Sequence, residues 1–409
     1  MDAPQRPTEM ELLVTTLQAE YVALTPASER IAGRGARVVP GGMSSHNAAF
    51  APYALTIASA EGPWLTDVDE RLYLDLWGNY TSLVHGHGFA PVMKAIGEQL
   101  DLGVAWSANS EAHIRLAELI VSRLPGADRV RFVSSGKEAG IVARELVRRC
   151  TGRPDILIAA GAYHGFDPGF GGPGVRTAAW GDALSFQAQI DGAVGAVFVE
   201  LIDRHGGVRL AEPGFVRAVS EAARRAGALV VVDEVVSFRL QVGGLQTMLG
   251  VLPDLTMLGK SIGGGLPLGA VVGRADIMNA LDPLGGDYHL TGSLHGSVLA
   301  AVAGRAALQH LTPECIATMG ARMNTVLGAI DVATTSAHLS EVGSLGFVAF
   351  ADSTAQQAFH LAALIEGVHM APRGLIAVPS VLSHDQADEA GARLRRAMAR
   401  VGEATPAAS

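Results

Sequence analysis

Of the 31 basic residues in this 409-residue chain only Lys94, Lys137 and Lys260 are lysines. Cysteine is scarcer still: Cys150 and Cys315 stand alone in helical patterns, which excludes a disulfide framework or a cysteine-based metal site and leaves them as small core hydrophobes. No run of 18 uninterrupted apolar residues occurs, so no membrane-spanning helix is expected. The N-terminus lacks the basic stretch followed by an apolar one that marks an export signal. The net charge of -9, with no long basic run, argues against nucleic acid as a partner. A cytoplasmic protein acting on small molecules is the expectation.

What is present is a 49% hydrophobic composition with 49 glycines, which suits an α/β enzyme with many tight turns. The chain is too long for one small core. Thr8 and Glu11 have capping-box spacing ahead of an apolar run, and Leu55 to Leu76 reads as a small antiparallel meander. Strand patterns at 130–134, 156–159, 196–200, 228–233, 255–258 and 270–273 alternate with helical ones, implying a mostly parallel sheet covered on both faces. After residue 311 the pattern becomes helix, strand, helix, short strand and final helix. Three units are expected: an N-terminal helix and meander over 1–75, a large α/β domain over 76–310, and an α+β unit over 311–409.

The large domain is organised around Leu229-Val230-Val231-Val232-Asp233, a buried parallel strand that delivers a carboxylate to the sheet's C-terminal edge. A second apolar run, Leu255 to Leu258, delivers Lys260. An acid and a lysine on neighbouring strands suit a cofactor whose ring nitrogen must stay protonated and whose aldehyde is held by an amine, namely pyridoxal 5′-phosphate. Of the other lysines, Lys94 lies on the wet face of an amphipathic pattern. Lys137 follows Ser134-Ser135-Gly136, where a strand runs into a helix N-terminus that can cup a phosphate. A cation there opposes the helix macrodipole, and a bound anion would explain it. Tyr163-His164-Gly165 and Glu200 follow or end strands at the same edge. His85 and His87, with glycines around them and no third ligand, read as a turn rather than a metal site.

These residues resemble a family. Ser135-Gly136 before Glu138-Ala139, Tyr163-His164-Gly165, Asp233-Glu234-Val235, Leu258-Gly259-Lys260-Ser261 with its glycines, and Thr291-Gly292-Ser293 are similar in order and spacing to class III aminotransferases, pyridoxal-phosphate enzymes of fold type I. Pro40-Gly41-Gly42, Asp282-Pro283 and Ala371-Pro372-Arg373-Gly374 resemble the glutamate-1-semialdehyde aminomutase and β-phenylalanine aminotransferase subgroup. The resemblance implies a large domain with a seven-stranded, mostly parallel sheet and a small α+β domain built from both chain ends. It implies that Lys260 carries the cofactor as a Schiff base, Asp233 pairs with the ring nitrogen, and Ser135, Gly136 and the residue at Lys137 hold the phosphate. Tyr163 and Val235 would pack on the ring, with Glu200 alongside. Ser293 would come from a second subunit, making the active unit a homodimer. The reaction implied is ping-pong transfer of an amino group from an amino-acid donor to a keto or aldehyde acceptor, with an intramolecular aminomutase or epimerase as the alternative and a catalytically retired cofactor-binding protein as a third. This chain departs from the pattern at Lys137, where threonine is usual, and at Ser293. Its loop through Ser45 lacks the arginine that related enzymes use for a substrate carboxylate. Arg373 and Arg239 remain as candidate clamps beside Ser45.

Overall fold

A computed structural model describes residues 7–165, 174–203, 207–333 and 335–404. Its centre is a seven-stranded sheet of β1 (Arg129–Val133), β2 (Asp155–Ala159), β3 (Val175–Ala178), β4 (Val194–Glu200), β5 (Leu229–Asp233), β6 (Leu255–Leu258) and β7 (Gly269–Gly273), in the order β1-β7-β6-β5-β4-β2-β3. The pairs β5–β6, β5–β4, β2–β4 and β2–β3 are parallel, and β7 runs antiparallel to both of its neighbours. The reversal follows from chain length. Only residues 259–268 join β6 to β7, fewer than the dozen or so that a parallel crossover requires.

The central strands β4, β6 and β7 are buried throughout, which explains why they read as apolar runs without alternation. Helices cover both faces. Gly136–Thr151 buries Ala139, Val142, Ala143 and Leu146 on one side, and Pro213–Arg225 buries Phe215, Val216 and Val219 on the other. Edge strand β3 was not expected from its sequence, because Val-Arg-Thr-Ala is short and carries polar residues on both faces.

The chain ends share one core, in which Leu17, Tyr21, Tyr73 and Leu74 pack with Phe359, Leu361 and Leu394. Helix Glu9–Leu24 opens on the expected capping box, Thr8 Oγ1 accepting from Glu11 N–H and Glu11 accepting from Thr8 N–H. The meander Ile57–Glu61, Trp64–Asp67 and Leu72–Asp75 is extended by the C-terminal strand Val368–His369, which pairs parallel with Leu72–Asp75. A strand from one end of the chain thereby fixes a strand from the other.

Candidate active site

Asp233 ends β5 in register with Met257 of β6 and Glu200 of β4, so Asp233 and Glu200 lie side by side, both buried. The Asp233 carboxylate is held on two sides. His164 Nδ1 lies 2.8 Å from Oδ2, and the Val235 N–H donates to Oδ1 at 2.9 Å. With Asp233 ionised, His164 donates from Nδ1, and the remaining acceptor capacity is open to a cationic N–H. The sequence marks His164 only as the neighbour of Tyr163, and the structure brings it to the Asp233 carboxylate. Tyr163 itself is 47% exposed, on the turn that follows β2.

Lys260 stands just past the end of β6, with φ +48°, a left-handed conformation that is uncommon for a long side chain. Such a conformation costs about 1–3 kcal/mol and concentrates at functional sites. Gly259 before it lies flat against the helix N-terminus, since a Cβ there would come within 3.2 Å of Gly136 Cα and of a Val235 methyl. Likewise, a Cβ on Gly136 would meet both Val235 methyls at 2.9 Å, and one on Gly269 would meet the Ser135 carbonyl oxygen at 2.2 Å. Only glycine allows this approach. Lys260, Gly136 and Val235 are thus brought together at one edge, beside Asp233.

Ser135 is the N-cap of helix Gly136–Thr151, its Oγ accepting from Glu138 N–H at 3.2 Å, which leaves its O–H available to an external acceptor. Lys137 is exposed in the first turn, and Gly165 packs on it so closely that a Cβ would lie 2.5 Å from Lys137 Cα. Gly140, one turn on, admits the same loop: a Cβ there would sit 1.8 Å from the His164 carbonyl oxygen. A capped helix start, an anchored carboxylate and a lysine in a strained turn therefore fit a phosphorylated pyridine aldehyde. His295 Nε2 lies 3.3 Å from Glu138 Oε2, while Ser293, two residues earlier, is exposed on this chain.

The candidate clamps separate. Arg373 is exposed on the turn between Ala371 and Leu375. Arg239 is 1% exposed, and its guanidinium donates to the carbonyls of Thr81 and Val378 and to Ser344 Oγ. Burial pulls its pKa down to about 10. It joins the backbone at Thr81 to Ser344 and the backbone at Val378, and with its guanidinium buried and taken up by these groups it is not offered to a substrate carboxylate, against its expected role as a clamp. Ser45 Oγ lies 2.6 Å from the Tyr80 hydroxyl.

Tyr80 was not anticipated. It belongs to four successive left-handed residues, Gly78, Asn79, Tyr80 and Thr81, with φ from +47° to +73°. For the three that are not glycine this costs roughly 1–2 kcal/mol each. The turn packs against the Lys260–Gly263 turn. Asp75, 3% exposed, accepts from the Trp77 and Gly78 N–H groups, from His369 Nδ1 at 3.0 Å and from His87 Nε2 at 2.8 Å. Burial pushes the Asp75 carboxyl up, but the hydrogen bonds from His369 and His87 outweigh it and hold the group well below the ordinary carboxylate range.

Residues 45–167 and 178–398 match the family model described as aminotransferase class-III. The β-phenylalanine transaminase of Variovorax paradoxus is 33% identical over 397 residues, covering 90% of this chain and 92% of the relative. A glutamate-1-semialdehyde 2,1-aminomutase of Methylacidiphilum infernorum is 36% identical over 314 residues, 69% of this chain and 72% of the relative. The crystal structure of the Variovorax paradoxus β-phenylalanine aminotransferase superposes with a TM-score of 0.88 at 31% identity, covering 94% of this chain and 96% of that one. The chain belongs to the class III aminotransferase family, and is a pyridoxal-phosphate-dependent aminotransferase of fold type I.

Proposed function

We propose that the chain moves an amino group from a small amino-acid donor to a keto or aldehyde acceptor in two half-reactions, with Lys260 and Asp233 as its catalytic residues. The observation that carries this reading is the anchored Asp233 carboxylate on the strand beside the one that delivers Lys260. Pyridoxal phosphate, when bound, supplies an electrophilic aldehyde carbon and a ring that withdraws electrons from the substrate carbon. Asp233 would pair with the ring nitrogen, and His164 orients that carboxylate from 2.8 Å. Lys260 Nζ would hold the group at its aldehyde and, as a free amine, would take the proton from the substrate carbon and give it back as general acid.

Ser135 Oγ–H and the Gly136 N–H, with Lys137, would hold the phosphate, and Val235, Tyr163 and Glu200 would line the ring. Ser293 serves the neighbouring subunit of a homodimer. Leu100, Leu102, Val104 and Trp106 on one exposed segment are the apolar surface such a dimer would cover. Arg373 and Ser45 are the candidates for the substrate carboxylate. No described helix is long and apolar enough to cross a membrane. Two unbridged thiols, one exposed, suit a reducing compartment, and we assign the enzyme to the cytoplasm.

The aminomutase reading is the alternative, favoured by the relatives that carry that name. Incubation with ¹⁵N-labelled alanine or glutamate and a panel of keto acids and aldehydes separates the two. Label in a new amine supports transfer. Rearranged product from a single amino aldehyde, without any second substrate, supports the aminomutase. No label in any product and no uptake of pyridoxal phosphate overturns both.

A further inference from the structure

The geometry points to Asp75 and Arg239 as positioning residues that hold the left-handed turn Gly78–Thr81, and through it Tyr80, in place beside the lysine turn, so that they govern substrate fit without touching substrate. This inference rests on the aminotransferase reading above.

The turn is unfavourable in itself, since Thr81 is β-branched and Tyr80 is bulky, and both stand at positive φ. Something must hold it at each end. At its start, the buried Asp75 carboxylate receives the Trp77 and Gly78 N–H groups, both at 3.1 Å. At its end, the buried Arg239 donates Nη1–H to the Thr81 carbonyl at 3.2 Å. Each anchor is tied in turn to the C-terminal part of the chain, Asp75 to His369 and Arg239 to Ser344 and Val378. Between the anchors, the Tyr80 ring packs on Trp77 with its plane tilted by 58° and centroids 4.4 Å apart, and its hydroxyl reaches Ser45 at 2.6 Å. Ser45 of the N-terminal segment, and two buried charges that the C-terminal part of the chain anchors, therefore fix one turn and the tyrosine it carries beside the Lys260–Gly263 turn. The two charges lie out of reach of a bound molecule, so their influence passes through the turn.

The test is a double-substitution cycle on the holoenzyme. Asp75→Asn keeps an acceptor for the amides but turns a second donor toward His87. Tyr80→Phe removes only the hydroxyl. Each single variant is expected to raise the donor KM by on the order of tenfold, with kcat and the visible absorbance of bound pyridoxal phosphate little changed. Together they should exceed either single effect by less than about twofold, because both act on Tyr80. Multiplying effects, an unchanged KM in Asp75→Asn, or loss of cofactor uptake in Asp75→Asn alone would overturn the inference. Failure of the wild type to take up cofactor would instead overturn the aminotransferase reading. Should Asp75→Asn not accumulate folded, His87→Gln, which can still donate to Oδ2, is expected to keep the wild-type KM and His87→Leu to raise it; equal behaviour of the two would refute the arrangement.

Discussion

His360 gives the sharpest test of the energetics of the chain-end core. It lies in helix Ser353–Ile365, 2% exposed, edge-on to Phe50 at 4.5 Å, and neither ring nitrogen has a hydrogen-bond partner among the described residues. Burial, reinforced by the nearby His369, pushes its pKa down to about 3. An unfolded chain protonates this imidazole near pH 6.5 and the folded one does not, so the unfolded state binds more protons between those values. Stability from this group is therefore full above about pH 6.5 and falls as the pH drops toward 3. At pH 5 the loss is about 2 kcal/mol relative to pH 8. Wild type alone would not reveal it, because Glu234 titrates with the opposite sign. Burial raises that carboxyl to about 7, so it favours the folded state increasingly as the pH falls through 7 toward its unfolded value. His360→Leu isolates the effect, since Glu234 is common to both proteins. At roughly 2.1 cal/mol/K of unfolding entropy per residue, 2 kcal/mol corresponds to about 2 °C for a chain of this length unfolding as a unit. Thermal scans of the two proteins at pH 8, 7, 6 and 5 should show the leucine variant gaining about that much on wild type between the extremes. A melting difference that stays constant over the series would refute a neutral, buried His360.

Gly140→Ala should disrupt the site and Gly97→Ala should not, although both glycines lie inside helices. A Cβ at Gly140 collides with the His164 carbonyl at 1.8 Å, whereas nothing lies within 4 Å at Gly97. Overpacking of about 1–3 kcal/mol would shift His164 from Asp233 and weaken pyridoxal phosphate binding in a titration of the cofactor-free protein, while Gly97→Ala should stabilise by about 0.5–1 kcal/mol; equal cofactor affinity in both variants would contradict this. Lys137→Thr should raise the melting temperature of the cofactor-free protein, by removing a cation from a helix start, and lower its affinity for pyridoxal phosphate. A variant that loses on both measures would show that Lys137 supports the fold instead. After borohydride reduction of the holoenzyme, mass spectrometry should find the cofactor on the peptide containing Lys260, and Lys260→Ala but not Lys94→Ala should abolish the adduct. Lys94 is exposed and lies 3.7 Å from Glu98 on its own helix, so an adduct on it would refute the assignment.

The parts of the site that could be read in the sequence are those carried by single strands and their ends. Asp233 and Lys260 each close an apolar run, and such a run has one destination, the interior of a parallel sheet, with its last polar residue at the ligand edge. The order of motifs then suffices. The parts that escaped depend on contacts between residues distant in the chain. Asp75 meets His369 across 294 residues, and no local periodicity announces that pairing. Arg239 was misplaced for the converse reason. The sequence offers it as a candidate carboxylate clamp, but the desolvation of a guanidinium is costly and the converging carbonyls of Thr81 and Val378 make its burial tolerable. The left-handed turn was equally silent, because Asn79-Tyr80-Thr81 carries one glycine at its start and none within it. An isolated segment of that composition would not adopt this conformation; it is imposed from both ends by buried charges that the C-terminal half of the chain supplies or anchors. The proposed cofactor end of the site is therefore encoded locally, and the turn that carries Tyr80 is encoded by the packing of one end of the chain on the other.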